Sequence, residues 1–275
     1  MSGFHAEGTF WDVSADEDVL IKAAVDQLSR ADLGGALGEV RRLWATSHGD
    51  AGVFDGLVTR RAAREPLSHL LGYRDFYKHR FEVSSDVLDP RPDTETLVEV
   101  ALGTTFDRVL DLGTGSGCIL LSLLAERRAA MGVGTDLSDA ALSVAARNAE
   151  KLGVENQVSF IVSDWFAEVD STFDLIVSNP PYIAVDEMGG LQPEVRDHEP
   201  RMALTDEGDG LACYRTIFVD APAYLKMGGH LMVEIGPTQA GAVKVMMATG
   251  GFAKIRTIQD LDGRDRVVSG QKLPS

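Results

Sequence analysis

Residues Ser178 to Ile183 read SNPPYI and follow directly on the apolar run FDLIV. Proline fixes its own φ and pushes the residue before it into extended backbone, so Asn179 and Pro180 are both held out of helix before any ligand arrives. Neither Pro180 nor Pro181 has an N–H to donate, which leaves the Asn179 side-chain oxygen and the Pro180 carbonyl as acceptors. Two fixed acceptors match the two N–H groups of a planar amine or a primary amide, and Tyr182 offers a flat face to pack against it. This suits a weak nucleophile, such as an amide nitrogen whose lone pair is delocalised into its carbonyl. Accepting both hydrogens aims that nitrogen at an electrophile, and alignment of this kind is worth about 7 to 11 kcal/mol of barrier. Acceptors directed at the positive charge that develops on nitrogen add electrostatic stabilisation, so no strong general base is needed. The plainer alternative is a proline-rich structural turn.

A second stretch, DLGTGSG from Asp111 to Gly117, lies between an apolar strand run and a helix. Glycines there permit a tight turn and let backbone N–H groups and the helix N-terminus approach a ligand, which makes Gly113, Thr114, Gly115, Ser116 and Gly117 candidate cofactor contacts. Dinucleotide-binding enzymes and methyltransferases share such loops, and some are plain strand-to-helix turns. Asp136 ends the next strand run, where its carboxylate suits a pair of ribose hydroxyls. Asp164 and Trp165 end the third run: Asp164 can accept from an exocyclic adenine amine, and the Trp165 indole can stack beside the ring or serve only as a rim aromatic. A pyrophosphate favours Gly-x-Gly-x-x-Gly, whereas here the glycines stand at 113, 115 and 117. That spacing tilts the expectation towards S-adenosyl-L-methionine, which needs close backbone approach and brings no phosphate. Its sulfonium methyl is then the electrophile facing Asn179.

Positioning these residues requires a sheet. After Pro90, strand runs alternate with helical segments: DRVLDLG, MGVGTDL, QVSFIVSDW, FDLIVSNPPY and GHLMVEIG, with helices expected over 118–128, 138–152, 210–225 and 238–249. Such alternation implies a mainly parallel sheet covered on both faces, an α/β fold of Rossmann-like type. The runs AKIRTIQD and DRVVSG, split by a turn at 261–263, predict an antiparallel edge hairpin. Before this, apolar residues at helical spacing from Asp16 to about Leu71 predict a bundle of three or four helices, broken at Gly34-Gly35 and between Gly49 and Gly52. GYRDFYKHRFEVS alternates aromatic and charged residues and reads as a short hairpin. The expected organisation is a helical domain over 1–71, a hairpin linker over 72–87 and a catalytic domain over 88–275.

The chain has 275 residues, a mean hydropathy of -0.03 and a net charge of -16. It begins without the basic and apolar pattern of a secretory leader, and no apolar run reaches the roughly 18 residues of a membrane span, so a cytoplasmic protein is expected. Neither residues 1–90 nor 91–275 carry a basic excess, which argues against a nucleic-acid binder that must neutralise phosphates. Cys118 and Cys213 lack the spacing of a zinc site or a disulfide scaffold and read as small apolar fillers; no metal is expected.

NPPY is shared with adenine-N6 DNA methyltransferases and some guanine-modifying rRNA methyltransferases, so the flanking segments discriminate. EPLSHLLGYRDFY (65–77), LDPRPDTETLVE (88–99), LDLGTGSGCI (110–119), DLIVSNPPYI (174–183), EPRMALTDEGDGL (199–211) and DLDGRDRVV (260–268) stand in one order. In these segments the chain resembles the bacterial glutamine-N5 methyltransferases that modify peptide-chain release factors. The resemblance spans about residues 65–270. It implies a seven-stranded class I methyltransferase domain behind a small helical domain and a hairpin. It also implies methyl-donor contacts at Gly113 to Gly117, Asp136, Trp165 and Asn179. The substrate would be the glutamine of the Gly-Gly-Gln loop of class-I release factors, held by Asn179, Pro180, Pro181 and Tyr182, with no direct nucleic-acid contact and no membrane.

Three rival functions stay open: an amino-group methyltransferase of rRNA or DNA bases, a nicotinamide-dependent oxidoreductase, and an adaptor that binds the adenosyl ligand without turnover. Asp93 or Thr94 is a plausible cap for the helix that follows, and Thr94 and Glu95 are also candidates to shape the methyl pocket. Residues 186–207 are expected to form a lid or docking loop. Asp89 stands where an apolar residue is more usual in the family, and the first 60 residues match the family poorly.

Overall fold

Apolar residues at helical spacing before Leu71 fold as α1 (Val13–Arg30), α2 (Ala36–Thr46), α3 (Ala51–Ala62) and α4 (Leu67–Leu71). The glycine break is used as a turn, since Gly35 precedes α2 with a φ of 70°. Asp50 caps α3 by accepting from the N–H groups of Gly52 and Val53. Leu28, Val40, Leu43, Phe54 and Val58 close a small core of their own. This computed structural model describes residues 13–273. The acidic start, with its lack of a leader pattern, falls mostly on residues 1–12, outside the described residues. Contacts divide the chain into two compact units, Met1–Leu71 and Gly72–Ser275.

The second unit opens with β1 (Tyr73–Phe76) and β2 (His79–Glu82), paired antiparallel. Phe76 and Phe81 from this hairpin are buried together with Leu97, Leu120 and Leu124, so it belongs to the same core as the large sheet. There follow α5 (Glu95–Leu102), β3 (Arg108–Leu112), α6 (Cys118–Glu126), β4 (Met131–Asp136), α7 (Asp139–Leu152), β5 (Val158–Val162) and β6 (Phe173–Ser178). The remainder comprises α8 (Pro193–His198), α9 (Ala212–Tyr224), β7 (Leu225–Glu234), α10 (Ala240–Thr249), β8 (Phe252–Gln259) and β9 (Asp265–Lys272).

Seven strands form one sheet in the order β5-β4-β3-β6-β7-β9-β8. Strands β3 to β7 are parallel, while β9 runs antiparallel between β7 and β8. The final hairpin therefore folds inward, leaving β8 rather than the last strand at the edge. Side chains alternate between the two faces, as β-strand geometry demands. Leu175 and Val177 join the core under α5 and α6, whereas Ile176 points into the core under α9 and α10.

Connections from β3 run outward to β5, and the chain then restarts on the other side at β6, so the strand order reverses between β3 and β6. Ligands of open α/β sheets bind at such a reversal, beyond the carboxyl ends of the strands. Leu112 pairs with Ser178, and Ser178 pairs with Val233. This register sends Gly113, Asn179 and Glu234 out of three adjacent strands at the same level.

Candidate functional site

The glycine loop divides into an outer and an inner set. Gly113 and Gly115 have φ of 69° and 55°, line a cavity, and have nothing within 4 Å of where a Cβ would sit. Thr114 and Ser116 are buried: Thr114 donates from its hydroxyl to Asp111 Oδ2 at 2.7 Å, and the Ser116 carbonyl accepts from Asn148 Nδ2 at 2.9 Å. Gly117, at φ 80°, is there for packing, because a Cβ would stand 2.8 Å from Leu121 Cδ1 and 3.2 Å from the Ala145 Cβ. Asp111 has no solvent exposure, and burial pushes its carboxyl up to about 7, opposed by the Thr114 hydrogen bond.

Asp136, at the end of β4, accepts from Gly115 N–H through Oδ2 and from Ser138 N–H through Oδ1, both at 2.9 Å. Its carboxylate thus ties the glycine loop to the neighbouring strand while facing the cavity. Trp165 lines the cavity in a left-handed conformation, φ 51°, and Ser163 Oγ donates to its carbonyl at 3.1 Å. Asp164 is exposed and stands outside the lining.

At the end of β6, Pro180 is buried, while Asn179 and Pro181 line the cavity. Asn179 Nδ2 lies 3.4 Å from Thr94 Oγ1, and no donor among the described residues reaches its Oδ1. Tyr182 turns away from the lining: its hydroxyl donates to Glu234 Oε1 at 3.3 Å, and its carbonyl accepts from Gln239 Nε2 at 2.9 Å. Burial raises the Tyr182 hydroxyl above the usual tyrosine range. Thr94 makes no side-chain cap for α5; a 3-10 turn over Pro92–Thr94 runs straight into the helix and keeps Thr94 helical. Asp93 accepts from Arg266 Nη2 at 2.9 Å instead, and Glu95 Oε1 accepts from Tyr77 N–H at 2.9 Å.

The cavity measures about 510 Å³. Residues 200–207 form one wall, so the second half of the expected lid is ordered against the site. Glu199 anchors it: this carboxyl is buried, pushed up to about 6 by burial, and receives Arg91 Nη2 at 2.5 Å. Asp89 is buried beside it and lies 3.8 Å from Arg74, while its Oδ1 has no hydrogen-bond partner among the described residues. Cys213 lines the cavity and Cys118 begins α6; burial pushes their thiols up to about 11 and about 12, so both stay protonated. Among the described residues no His, Cys, Asp and Glu cluster could hold a metal, and no helix is long and apolar enough to cross a membrane.

Glu234 and Arg266 are the site-adjacent residues that sequence reasoning missed. Glu234 is 1% exposed and Arg266 is 4% exposed. The available signal was an acid closing the apolar run LMV at the end of a strand, the same place in β7 that Asn179 holds in β6.

The family described as Methyltransferase small domain matches residues 80–190. A release factor glutamine methyltransferase from Cereibacter sphaeroides is 48% identical over 272 residues, covering 93% of this chain and 98% of that one. The likeness therefore reaches into the helical unit, where the motifs alone had shown little match. Another from Xylella fastidiosa strain 9a5c is 43% identical over 267 residues, 92% of this chain and 96% of that one. Among solved structures, a methyltransferase from Pyrococcus furiosus has the same fold at 16% identity, with a TM-score of 0.55 across 80% of this chain and 98% of that one. The chain belongs to the release factor glutamine methyltransferase family.

Proposed function

We propose that this protein transfers a methyl group from S-adenosyl-L-methionine to the side-chain amide nitrogen (N5) of the glutamine in the Gly-Gly-Gln loop of class-I peptide chain release factors. The observation that carries this is the level register of β3 and β6, which opens the glycine loop and Asn179 into one cavity. We assign Gly113, Gly115, Asp136 and Trp165 to the methyl donor, with Asp164 at the rim and Thr114, Ser116 and Gly117 holding the loop's shape.

The residues present fit such a donor. Backbone at Gly113 and Gly115 faces open space unscreened by side chains. Asp86, Asp136, Asp206 and Glu207 line the cavity against a single guanidinium, Arg201, whose charge is spent on Glu207 at 2.6 Å. That balance suits a cationic ligand and disfavours the pyrophosphate of a nicotinamide dinucleotide. When bound, the donor supplies a sulfonium-activated methyl group as electrophile.

Asn179 Oδ1 and the Pro180 carbonyl then accept the two hydrogens of the glutamine amide. Burial of the Pro180 ring keeps that carbonyl from swinging. Pro181 supplies apolar wall at the cavity, and Tyr182, anchored to Glu234, fixes the backbone on the far side of both acceptors. Charge developing on nitrogen is stabilised by these oxygens, and the proton leaves to solvent. The assigned residues all fall in the catalytic domain we place at 88–275, after the helical domain (1–71) and the hairpin linker (72–87). A cytoplasmic location follows from the substrate.

Mass spectrometry of a release factor incubated with the protein and methyl donor tests this. One added methyl group on the Gly-Gly-Gln glutamine is expected. Transfer of labelled methyl to RNA or DNA, with none to the release factor, would favour the base-modifying alternative.

A further inference from the structure

Pro180 and Pro181 carry no N–H, so the stretch that presents the two acceptors has to be held by its ends and its carbonyls. One end is fixed in the sheet, where Ser178 pairs with Leu112 and Val233 and donates from Oγ to the Leu112 carbonyl at 2.8 Å. The other end is the backbone of Tyr182, whose placement decides ψ along the two prolines and so the aim of the Pro180 carbonyl. We infer that Gln239 fixes this second end through its side-chain NH2, which makes it a positioning residue for methyl transfer. This role rests on the function proposed above and deepens it at the second acceptor.

The side-chain amide of Gln239 offers two N–H donors and one acceptor oxygen, and all are engaged. Oε1 accepts from Gly236 N–H at 2.9 Å, while Nε2 donates to the Tyr182 carbonyl at 2.9 Å and to the Gly210 carbonyl at 3.2 Å. One NH2 thus gathers two carbonyl oxygens that would otherwise repel each other. The approach is close enough to demand glycine: at Gly210, φ 72°, a Cβ would stand 2.3 Å from the Tyr182 oxygen. Gly210 follows the wall at 200–207, and two backbone bonds join that segment to the acceptor stretch. Ile183 N–H donates to the Leu204 carbonyl at 3.0 Å, and Val185 N–H to the Gly208 carbonyl at 2.9 Å. Acceptors and wall therefore form one piece, and Gln239 fastens it to the turn after β7.

Helix capping does not account for Gln239. It stands at the N-cap of α10 with helical backbone, φ -91° and ψ -10°, and its side chain makes no cap. Closing the turn at Gly236 does not account for it either, since that bond uses only Oε1 and a glutamate would accept from Gly236 N–H equally well. What requires an amide is the pair of carbonyls opposite the NH2. The hydroxyl of Tyr182 makes a separate tie, to Glu234 Oε1 at 3.3 Å, which holds the ring and leaves the carbonyl to Gln239.

Two substitutions in the full-length protein test the clamp, with kcat measured on a release factor at about pH 5.5 and about pH 8, the methyl-donor Kd by calorimetry and the Tm by thermal melting. Asp206, Asp209, Tyr182, Tyr214, Glu234 and Arg266 stand on the neighbouring elements in every variant, so each rate is taken as a ratio to the wild type at the same pH. Gln239→Met keeps length and removes every hydrogen bond. It should lower kcat about tenfold or more at both pH values, since a displacement of about 1 Å at a reacting centre costs about 100-fold, with the methyl-donor Kd within about threefold. Gln239→Glu should be as slow at about pH 8, where its carboxylate opposes two carbonyls. Relative to the wild type it should regain about threefold or more by about pH 5.5, because a protonated carboxyl donates to one of them. A Gln239→Met enzyme with unchanged kcat, or a Gln239→Glu deficit that is the same at both pH values whatever its Tm, overturns the clamp. A wild-type enzyme that leaves the release factor unmethylated overturns the proposed function first, and the clamp's catalytic role falls with it.

Discussion

Gly113 and Asn179 leave adjacent strands at the same level, yet the chain holds the two in different ways. On the glycine side the parts are local: Gly113, Thr114, Gly115, Ser116 and Gly117 are consecutive, and Asp136, one strand away, fastens Gly115 by its N–H. On the asparagine side the parts come from distant segments. Thr94 precedes α5, Tyr182 follows β6, Glu234 ends β7 and Arg266 lies in β9, so four separate pieces of chain meet behind one carboxamide. Both halves rest on a buried carboxyl that accepts from a hydroxyl, Asp111 from Thr114 and Glu234 from Tyr182. A pocket that must follow the contour of a ligand is built from backbone, whereas an atom that must point one way is built from side chains wired into the sheet.

If the halves are as separable as this, single substitutions should strike one function at a time. The largest effect belongs to Asn179→Ala: turnover falls about 100-fold or more, the scale for losing one preorganised polar contact at a reacting centre, while calorimetry finds the methyl-donor Kd changed only a few-fold. Asp136→Ala is the counterpart. It removes an acceptor shared by two backbone N–H groups, and charge-assisted hydrogen bonds are worth about 1.5 to 3 kcal/mol, so methyl-donor affinity weakens by about 10- to 100-fold while kcat at saturation stays near wild type. Equal loss of turnover and affinity in both variants would dissolve the comparison.

Within the glycine loop the contrast sharpens. Gly117→Ala drives a Cβ into Leu121 at a positive φ, which should cost roughly 1 to 3 kcal/mol and lower Tm by several degrees, with methyl-donor affinity largely retained in whatever remains folded. Gly113→Ala meets open space, so its Cβ intrudes on the ligand instead. Thermal melts with and without methyl donor separate the two: Gly117→Ala lowers both curves, and Gly113→Ala mainly shrinks the gap between them.

A further expected effect is on pH dependence. Burial pushes Asp111 and Glu234 each up to about 7, from 3.8 and 4.5. Between those limits the folded chain holds protons that the unfolded chain has released, so stability falls as pH rises towards 7 and levels off above it. Paired surface carboxylates such as Glu82 and Asp209 have lowered values, and their contribution is already complete in this window. Glu199, pushed up to about 6, acts in the same direction, while His79 and His230, lowered by burial, act in the opposite one. The Tm should decline from about pH 5 to pH 7 by less than the carboxyls alone would give, and Asp111→Asn and Glu234→Gln should each flatten part of that slope. A slope that neither variant changes would contradict the assignment.

The two halves also differ in how far the sequence discloses them. DLGTGSG and SNPPYI announce themselves because glycine and proline constrain the backbone locally, and the apolar runs before them locate the strands. Asp136 was visible by its place at the end of a strand run. Thr94, Glu234 and Arg266 were not legible as a group, because register and topology bring them together: Thr94 is 85 residues from Asn179, and Tyr182 is 52 from Glu234. Thr94 looked like a helix cap because residue type alone does not reveal that a 3-10 turn would carry it past the capping conformation. Tyr182 was legible as an aromatic beside the acceptors, but not the hydrogen bond that ties its hydroxyl to Glu234.

A crystal structure of the protein with S-adenosyl-L-homocysteine and a Gly-Gly-Gln peptide bears most directly on the claim that Asn179 presents an oriented oxygen to a carboxamide. Asn179 Oδ1 and the Pro180 carbonyl should each lie about 3 Å from the glutamine amide nitrogen, with Asn179 Nδ2 still on Thr94. A glutamine bound with its nitrogen directed elsewhere, or an Asn179 side chain rotated away from both peptide and cofactor product, would contradict it.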